Sequence, residues 1–88
     1  MSYRVEFAES ALKDLKKMDK GVVKLLFSWI TKNLNGTNNP RNVGKGLSGE
    51  KKGLWRYRIG DYRIICHIQD DKLLILVVDA GHRKEIYE

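Results

Sequence analysis

The run of residues 54–65, LWRYRIGDYRII, constrains the fold more than any other part of the chain. Bulky apolar residues alternate with arginines on both sides of Gly60 and Asp61, which is the pattern of a β-hairpin closed by a tight turn. The apolar rows predict one buried face, and the arginines fall on the other: Arg56, Arg58 and Arg63. Three exposed guanidinium groups this close together repel one another, so the pattern favours an anionic partner for that face.

The rest of the chain predicts two more strands and a helical hairpin. Residues 2–8 alternate as a short half-buried strand, whereas residues 10–18 and 19–34 repeat apolar positions at helical spacing, with Ser10 and Asp19 as candidate caps. Residues 72–80 are apolar on both faces, which is typical of an interior strand. The order β-α-α-β-β-β predicts one α+β domain over residues 1–88, a mostly antiparallel sheet with a helical hairpin packed on one face.

A basic segment, residues 36–53, separates the predicted helices from the hairpin. It is poor in large apolar residues and contains Lys45, Lys51 and Lys52. A loop of this length in a small domain is usually functional or mobile, but a solvated connector that carries lysines for solubility is equally consistent with the composition.

Charge and composition exclude several kinds of site. The net charge of +6 favours polyanionic partners such as nucleic acid or an acidic protein segment. No apolar run is long enough for a membrane span and no secretory signal precedes the domain, so we expect a soluble, cytoplasmic protein. One cysteine and two distant histidines assemble neither a disulfide nor a zinc set, and no glycine-rich phosphate loop precedes a helix. We expect the cysteine, Cys66, to be a buried, inert thiol.

The end of the chain, GHRKEIY at residues 81–87, adds groups that suit RNA phosphodiester chemistry. Guanidinium groups can stabilise the charge that builds on the phosphoryl oxygens when a ribose 2′-hydroxyl attacks the phosphorus. Arginine stays protonated, so the general base and acid must be sought elsewhere, and the candidates are His82, Tyr87 and a loop lysine. The plain alternatives are arginines paired on a sheet surface, a solvent-exposed His82 and an inert Tyr87 near the end of the chain.

Residues 44–65, GKGLSGEKKGLWRYRIGDYRII, together with the 81–87 run, resemble the RelE toxins of the RelE/ParE superfamily. The resemblance implies a cofactor-free, metal-independent endoribonuclease that cleaves mRNA in the ribosomal A site, contacts 16S rRNA and is held inactive by a cognate antitoxin. The catalytic residues that it implies are Arg56, Arg58, Arg63, His82, Arg83 and Tyr87. The residues implied to bind RNA or the ribosome are Lys45, Lys51 and Lys52.

Two departures from the RelE pattern bear on the proton-transfer groups. Lys45 stands where some relatives have a glutamate base, and Arg56 and Arg58 replace lysines of the best-known member. Two other functions stay open at this point: a ParE-type inhibitor of DNA gyrase, and an RNA-binding module without catalysis.

Overall fold

Two helices pack against one face of a five-stranded sheet in the computed structural model, which describes residues 2–82. This arrangement confirms the predicted α+β class. The predicted site residues Arg83 and Tyr87 lie outside the described range. The elements are β1 (Arg4–Phe7), α1 (Glu9–Lys16), α2 (Lys20–Asn33), β2 (Lys45–Gly46), β3 (Trp55–Ile59), β4 (Tyr62–Gln69) and β5 (Leu74–His82), with 3₁₀ turns at Gly49–Lys51 and Asp70–Lys72.

The strands lie in the order β1-β5-β4-β3-β2. β1 runs parallel to β5, and every other neighbouring pair is antiparallel. The predicted hairpin is β3 and β4, and the apolar β5 is interior, as its sequence predicts. The two-residue strand β2 was not expected, because it lies within the segment that the sequence predicts to be a loop.

The hydrophobic core lies between the helices and the sheet. On α2 and its C-cap, Leu26, Ile30 and Leu34 recur every four residues and are at most 3% exposed, so they form one buried stripe. Against them pack Tyr57 and Ile64, both almost fully buried. Burial of each large side chain contributes about 1.5–3 kcal/mol, so this layer is one of the main sources of stability.

The basic segment is tethered to the sheet. The Tyr57 hydroxyl donates to the Pro40 carbonyl at 2.5 Å, and the Trp55 indole N–H donates to the Val43 carbonyl at 2.8 Å. Both aromatic rings belong to β3, so the hairpin itself holds the segment in place. This segment is therefore a structured connector that contains β2.

A β-bulge interrupts the pairing of β4 with β5. Ile65 lies opposite Asp79, whereas the next residue, Cys66, lies opposite Val77, so Val78 is an extra residue on β5. Beyond a one-residue bulge the alternation of side chains between the two faces is shifted by one.

Side chains of α1 bind the bulged segment. The Ser10 hydroxyl donates to the Val78 carbonyl at 2.5 Å, and the Ala80 N–H donates to Asp14 Oδ2 at 3.1 Å. The prediction that Ser10 caps α1 is wrong, because Ala8 is the N-cap residue and no side chain caps the helix. Ser10 instead supplies a contact to β5.

Helix length also bears on membrane insertion. The longer helix, α2, has 14 residues, and no helix within residues 2–82 combines the length and the apolar character that crossing a bilayer requires.

Candidate functional site

Four basic side chains share the sheet face that points away from the helices. Arg58 lies directly opposite Arg63 in the β3–β4 register, and Lys45 lies opposite Arg56 in the β2–β3 register. Residues directly opposite on neighbouring strands point to the same face of a sheet. We call this set, Lys45, Arg56, Arg58 and Arg63, the cationic face.

Burial divides the cationic face into two kinds of group. Arg58 and Lys45 are exposed, as the sequence predicts, but Arg56 and Arg63 are each only 8% exposed. The prediction of a fully exposed arginine surface is therefore wrong for these two. Both flank Ile65, a fully buried apolar residue of this same face, along which long aliphatic stems can pack. A charge held in such a partly dry setting interacts more strongly with an anion than one surrounded by water.

The bulge decides which residues at the end of β5 join the cationic face. Gly81 lies opposite Arg63, whereas His82 lies opposite Tyr62, with the two rings in an edge-to-face contact at 5.4 Å between centroids. Tyr62 in turn lies opposite the core residue Ile59, so His82 is on the helix side of the sheet. The structure thus does not bring His82 together with the arginines, because the bulge shifts the alternation. A catalytic role for His82 stays a prediction.

His82 lines a cleft on the helix side. The cleft has a volume of about 370 Å³ and lies where α1, α2 and the end of β5 meet. Its lining residues are Asp14, Lys17, Met18, Asp19, Val22, Tyr62, Ala80 and His82. Charges of both signs line this cleft, with Asp14 and Asp19 beside Lys17.

A second cleft opens at the edge of the cationic face. It has a volume of about 440 Å³ and is lined by Trp29, Val43, Gly44, Lys45, Arg56, Tyr57 and Arg58. Pockets of this size accept a small-molecule ligand, and the cations around it favour an anionic one such as a nucleotide.

The remaining lysines of the basic segment lie in and beside the 3₁₀ turn that follows β2. Lys51 is half-buried there, and its charge partly lowers the pKa of Asp79. Burial in the first place, and then the carboxylate of Asp14, raise the pKa of Asp79 overall. Lys52 is exposed. The charge of Lys51 therefore acts on Asp79 of β5, and Lys52 is exposed to solvent.

Neither a metal centre nor a reactive thiol is found among the described residues. In residues 2–82 no group of three or more His, Cys, Asp or Glu side chains is placed to hold a metal ion. Cys66 is fully buried, as predicted, and burial raises the pKa of its thiol, so little thiolate forms at neutral pH.

Sequence interpretation missed Asp14, whose position on α1 suggests only a water-facing charge. The structure half-buries it and places it against the Ala80 N–H. Its helical spacing of four residues from Ser10 puts both on one side of α1, but that spacing alone does not identify β5 as their partner.

A family model described as the ParE toxin of the type II toxin-antitoxin system parDE matches residues 5–87. The chain belongs to this toxin family. Toxin RelG of Mycobacterium tuberculosis is 30% identical to this toxin over 87 residues, which cover 99% of this chain and 98% of RelG. The resemblance to the RelE/ParE superfamily is confirmed.

Solved structures agree with this assignment. The toxin is similar to a chain in the toxin-antitoxin complex RelBE2 from Mycobacterium tuberculosis, with 28% identity, a TM-score of 0.84 and coverage of 94% of this chain and 100% of that one. The isolated RelE toxin of Escherichia coli aligns with a TM-score of 0.71 at 24% identity, over 92% of this chain and 84% of that one, and supports the fold.

Proposed function

We propose that this toxin is a ribosome-dependent endoribonuclease that cleaves mRNA in the ribosomal A site and so inhibits translation. The observation that carries the proposal is the cationic face, where two arginines are largely buried beside two exposed basic side chains. The similarity to RelG and to the RelBE2 toxin supports it.

In the proposed reaction the ribose 2′-hydroxyl gives up its proton to a general base and attacks the neighbouring phosphorus, which forms a 2′,3′-cyclic phosphate. The P–O5′ bond breaks, and the leaving 5′-oxygen takes up a proton from a general acid. Negative charge develops on the phosphoryl oxygens during this step. Arg56 and Arg63 stabilise that charge without a metal, because their guanidinium groups are already desolvated and need little reorganisation. One such contact in a partly dry site contributes about 3 kcal/mol to the transition state. Arg58 and Lys45, which are exposed, bind the phosphates on either side.

Proton transfer needs a group other than arginine. His82 lies on the helix side, so it reaches the scissile phosphate only if the RNA passes around the end of β5. We keep Arg83 and Tyr87 in the site on the strength of the family resemblance, with Tyr87 stacking on the nucleotide or moving a proton. His82→Gln distinguishes the cases: a lost cleavage rate with unchanged ribosome binding assigns proton transfer to His82, and unchanged cleavage assigns it to Tyr87 or a lysine.

The partners follow from the same proposal. Lys51 and Lys52, with Lys45, are proposed to contact mRNA and 16S rRNA, and the toxin acts in the cytoplasm, where translating ribosomes are found. The RelBE2 structure is that of a toxin-antitoxin complex. By analogy, a cognate antitoxin is proposed to bind this toxin and hold it inactive.

The test is cleavage of mRNA on programmed ribosomes by the purified toxin, with the new 5′ ends mapped. Loss of about 3 kcal/mol corresponds to roughly a 100-fold slower cleavage, which we expect for Arg63→Ala. Lys32→Ala is the matched control, because it removes an exposed cation from α2, on the helix side of the sheet. Undiminished cleavage by a folded Arg63→Ala variant contradicts the assignment.

The family description keeps one alternative in view, since the matching family model is named for the ParE toxin. A gyrase inhibitor would block DNA supercoiling by purified gyrase and leave ribosome-bound mRNA intact. A toxin that cleaves mRNA and leaves supercoiling unaffected supports the nuclease.

A further inference from the structure

We propose that Ser10 and Asp14 are positioning residues of this toxin. They hold the Val78 bulge in β5 and thereby determine which residues at the end of β5 lie on the same side of the sheet as the cationic face. The catalytic consequence rests on the proposed nuclease function. The structural part, a helix that sets the register of a strand, does not depend on it.

The first step is the edge of β5 that faces β1. β1 ends at Phe7, which lies opposite Val77, and the Ala8 N–H donates to the Val77 carbonyl at 2.8 Å. Beyond Val77 no residue of β1 continues the ladder. From there on α1 lies along this edge and contacts β5 extensively.

The second step is that side chains of α1 take the place of the missing strand. Ser10 binds the carbonyl of Val78, the bulge residue itself, and Asp14 binds the N–H of Ala80, two residues further on. Ser10 and Asp14 are four residues apart, so they lie one above the other on the same side of the helix. The Val78 carbonyl and the Ala80 N–H thus have hydrogen-bond partners on α1 in the bulged arrangement. These bonds favour the bulge, because buried backbone groups that lack a partner are costly.

The third step is the consequence for the two sheet faces. Up to Val77 the core residues of β5 are odd-numbered, Ile75 and Val77, whereas after the bulge the core side is taken by Ala80 and His82. Gly81 consequently lies opposite Arg63. Without the bulge, the register of Cys66 with Val77 would continue, so that Ala80 would lie opposite Arg63 and His82 would move to the side of the sheet that carries the cationic face.

A glycine opposite Arg63 leaves the cationic face unobstructed at this point, because it presents no side chain. A cationic or bulky side chain there would compete with a phosphate for Arg63. The bulge therefore keeps the proposed phosphate-binding surface open beside Arg63.

The experiment compares Asp14→Ala with Asp14→Asn in the full chain. The alanine removes the acceptor for the Ala80 N–H, whereas asparagine keeps an oxygen there. We expect Asp14→Ala to speed hydrogen exchange of the Ala80 amide by about tenfold or more while core amides such as that of Ile75 stay protected. The nuclear Overhauser contact between the Tyr62 and His82 rings should weaken in the same variant.

Cleavage of ribosome-bound mRNA provides the functional readout. We expect Asp14→Ala to lower kcat by about tenfold with KM unchanged, because the residue does not touch substrate, and Asp14→Asn to restore kcat. Lys13→Ala, one residue away on the exposed side of α1, is the matched control and should change nothing. Should Asp14→Ala fail to fold, Ser10→Ala removes the bond to the Val78 carbonyl instead, and we expect the same weakening of the Tyr62–His82 ring contact and the same loss of kcat.

The outcomes separate this proposal from the proposed function. Faster Ala80 exchange with an unaltered kcat, or an unaltered Ala80 amide in Asp14→Ala, overturns the positioning role. A wild-type toxin that cleaves no mRNA overturns the nuclease and with it the catalytic consequence, while the exchange rate and the ring contact still decide whether Ser10 and Asp14 hold the register.

Discussion

Arg41 and Asp70 form a two-pronged ion pair, with 2.9 Å between Nη1 and Oδ1 and 3.0 Å between Nη2 and Oδ2. The Tyr3 hydroxyl donates to the same carboxylate at 2.6 Å. Hydrogen bonds from Arg41 first, and then from Tyr3, hold the pKa of Asp70 below its usual range. These contacts fasten the basic segment and β1 to the turn before β5.

We expect Arg41→Ala to lower the free energy of unfolding by about 0.5–1 kcal/mol, the range for a well-aligned but exposed pair. A depressed carboxyl pKa adds stability that is present above the unfolded-state pKa, about 4, and is lost as the pH falls through the lower folded-state value. Urea unfolding of the wild type and of Arg41→Ala, at neutral and at acid pH, measures the loss of stability and its pH dependence. Equal losses from Arg41→Ala at the two pH values would contradict this account.

Asp79 predicts the opposite pH dependence. Its pKa is raised, so the fold favours its neutral form, and stability should decline as the pH rises from about 4 through the raised value. Asp79→Asn should flatten that decline and make the protein more stable than the wild type near neutrality. Asp61→Asn, at the exposed hairpin turn, is the control and should leave the slope as it is. The measurement is the urea midpoint across this pH range.

Gly44 and Gly36 give a matched pair for the approach of the basic segment to β3. Both have positive φ, 87° and 88°, but a Cβ on Gly44 would lie 2.5 Å from the Arg56 carbonyl oxygen, whereas one on Gly36 meets nothing within 4 Å. We expect Gly36→Ala to destabilise by about 1 kcal/mol from backbone strain alone, and Gly44→Ala by about 3 kcal/mol or more. Thermal unfolding of the two variants measures the difference, and equal effects would contradict it.

Cys66 should be unreactive in the folded toxin. It is fully buried and its thiol pKa is raised by that burial, so alkylation by iodoacetamide at neutral pH should proceed only through unfolding. Mass spectrometry after timed exposure, with and without denaturant, checks this. Rapid modification of the native protein without loss of structure would refute it.

Local patterns were enough to predict much of the fold. The alternation around Gly60 and Asp61 predicts β3 and β4, because strand side chains have a period of two, and the spacing of Leu26, Ile30 and Leu34 predicts α2. β2 escaped prediction because a strand of two residues has no periodicity. The same alternation placed Arg56, Arg58 and Arg63 on one face, and the family resemblance added the roles proposed for them.

The site geometry depended on features that the sequence does not record. Burial of Arg56 and Arg63 is set by what packs over the outer face, which alternation cannot specify. The position of His82 depends on one extra residue, Val78, and a bulge of this kind carries no distinctive composition. Asp14 and Ser10 acquire their role only once α1 is placed beside the end of β5.

The parallel pairing of β1 with β5 has a consequence for biosynthesis. Arg4 pairs with Leu74, so the hydrogen bonds of the first strand cannot form until nearly all of the described chain has been synthesised. Such non-local pairing slows folding, because the entropy of closing a long loop is lost before the contacts are gained. A nascent chain halted before residue 74 lacks this part of the sheet. The toxin therefore completes its fold only late in its own translation.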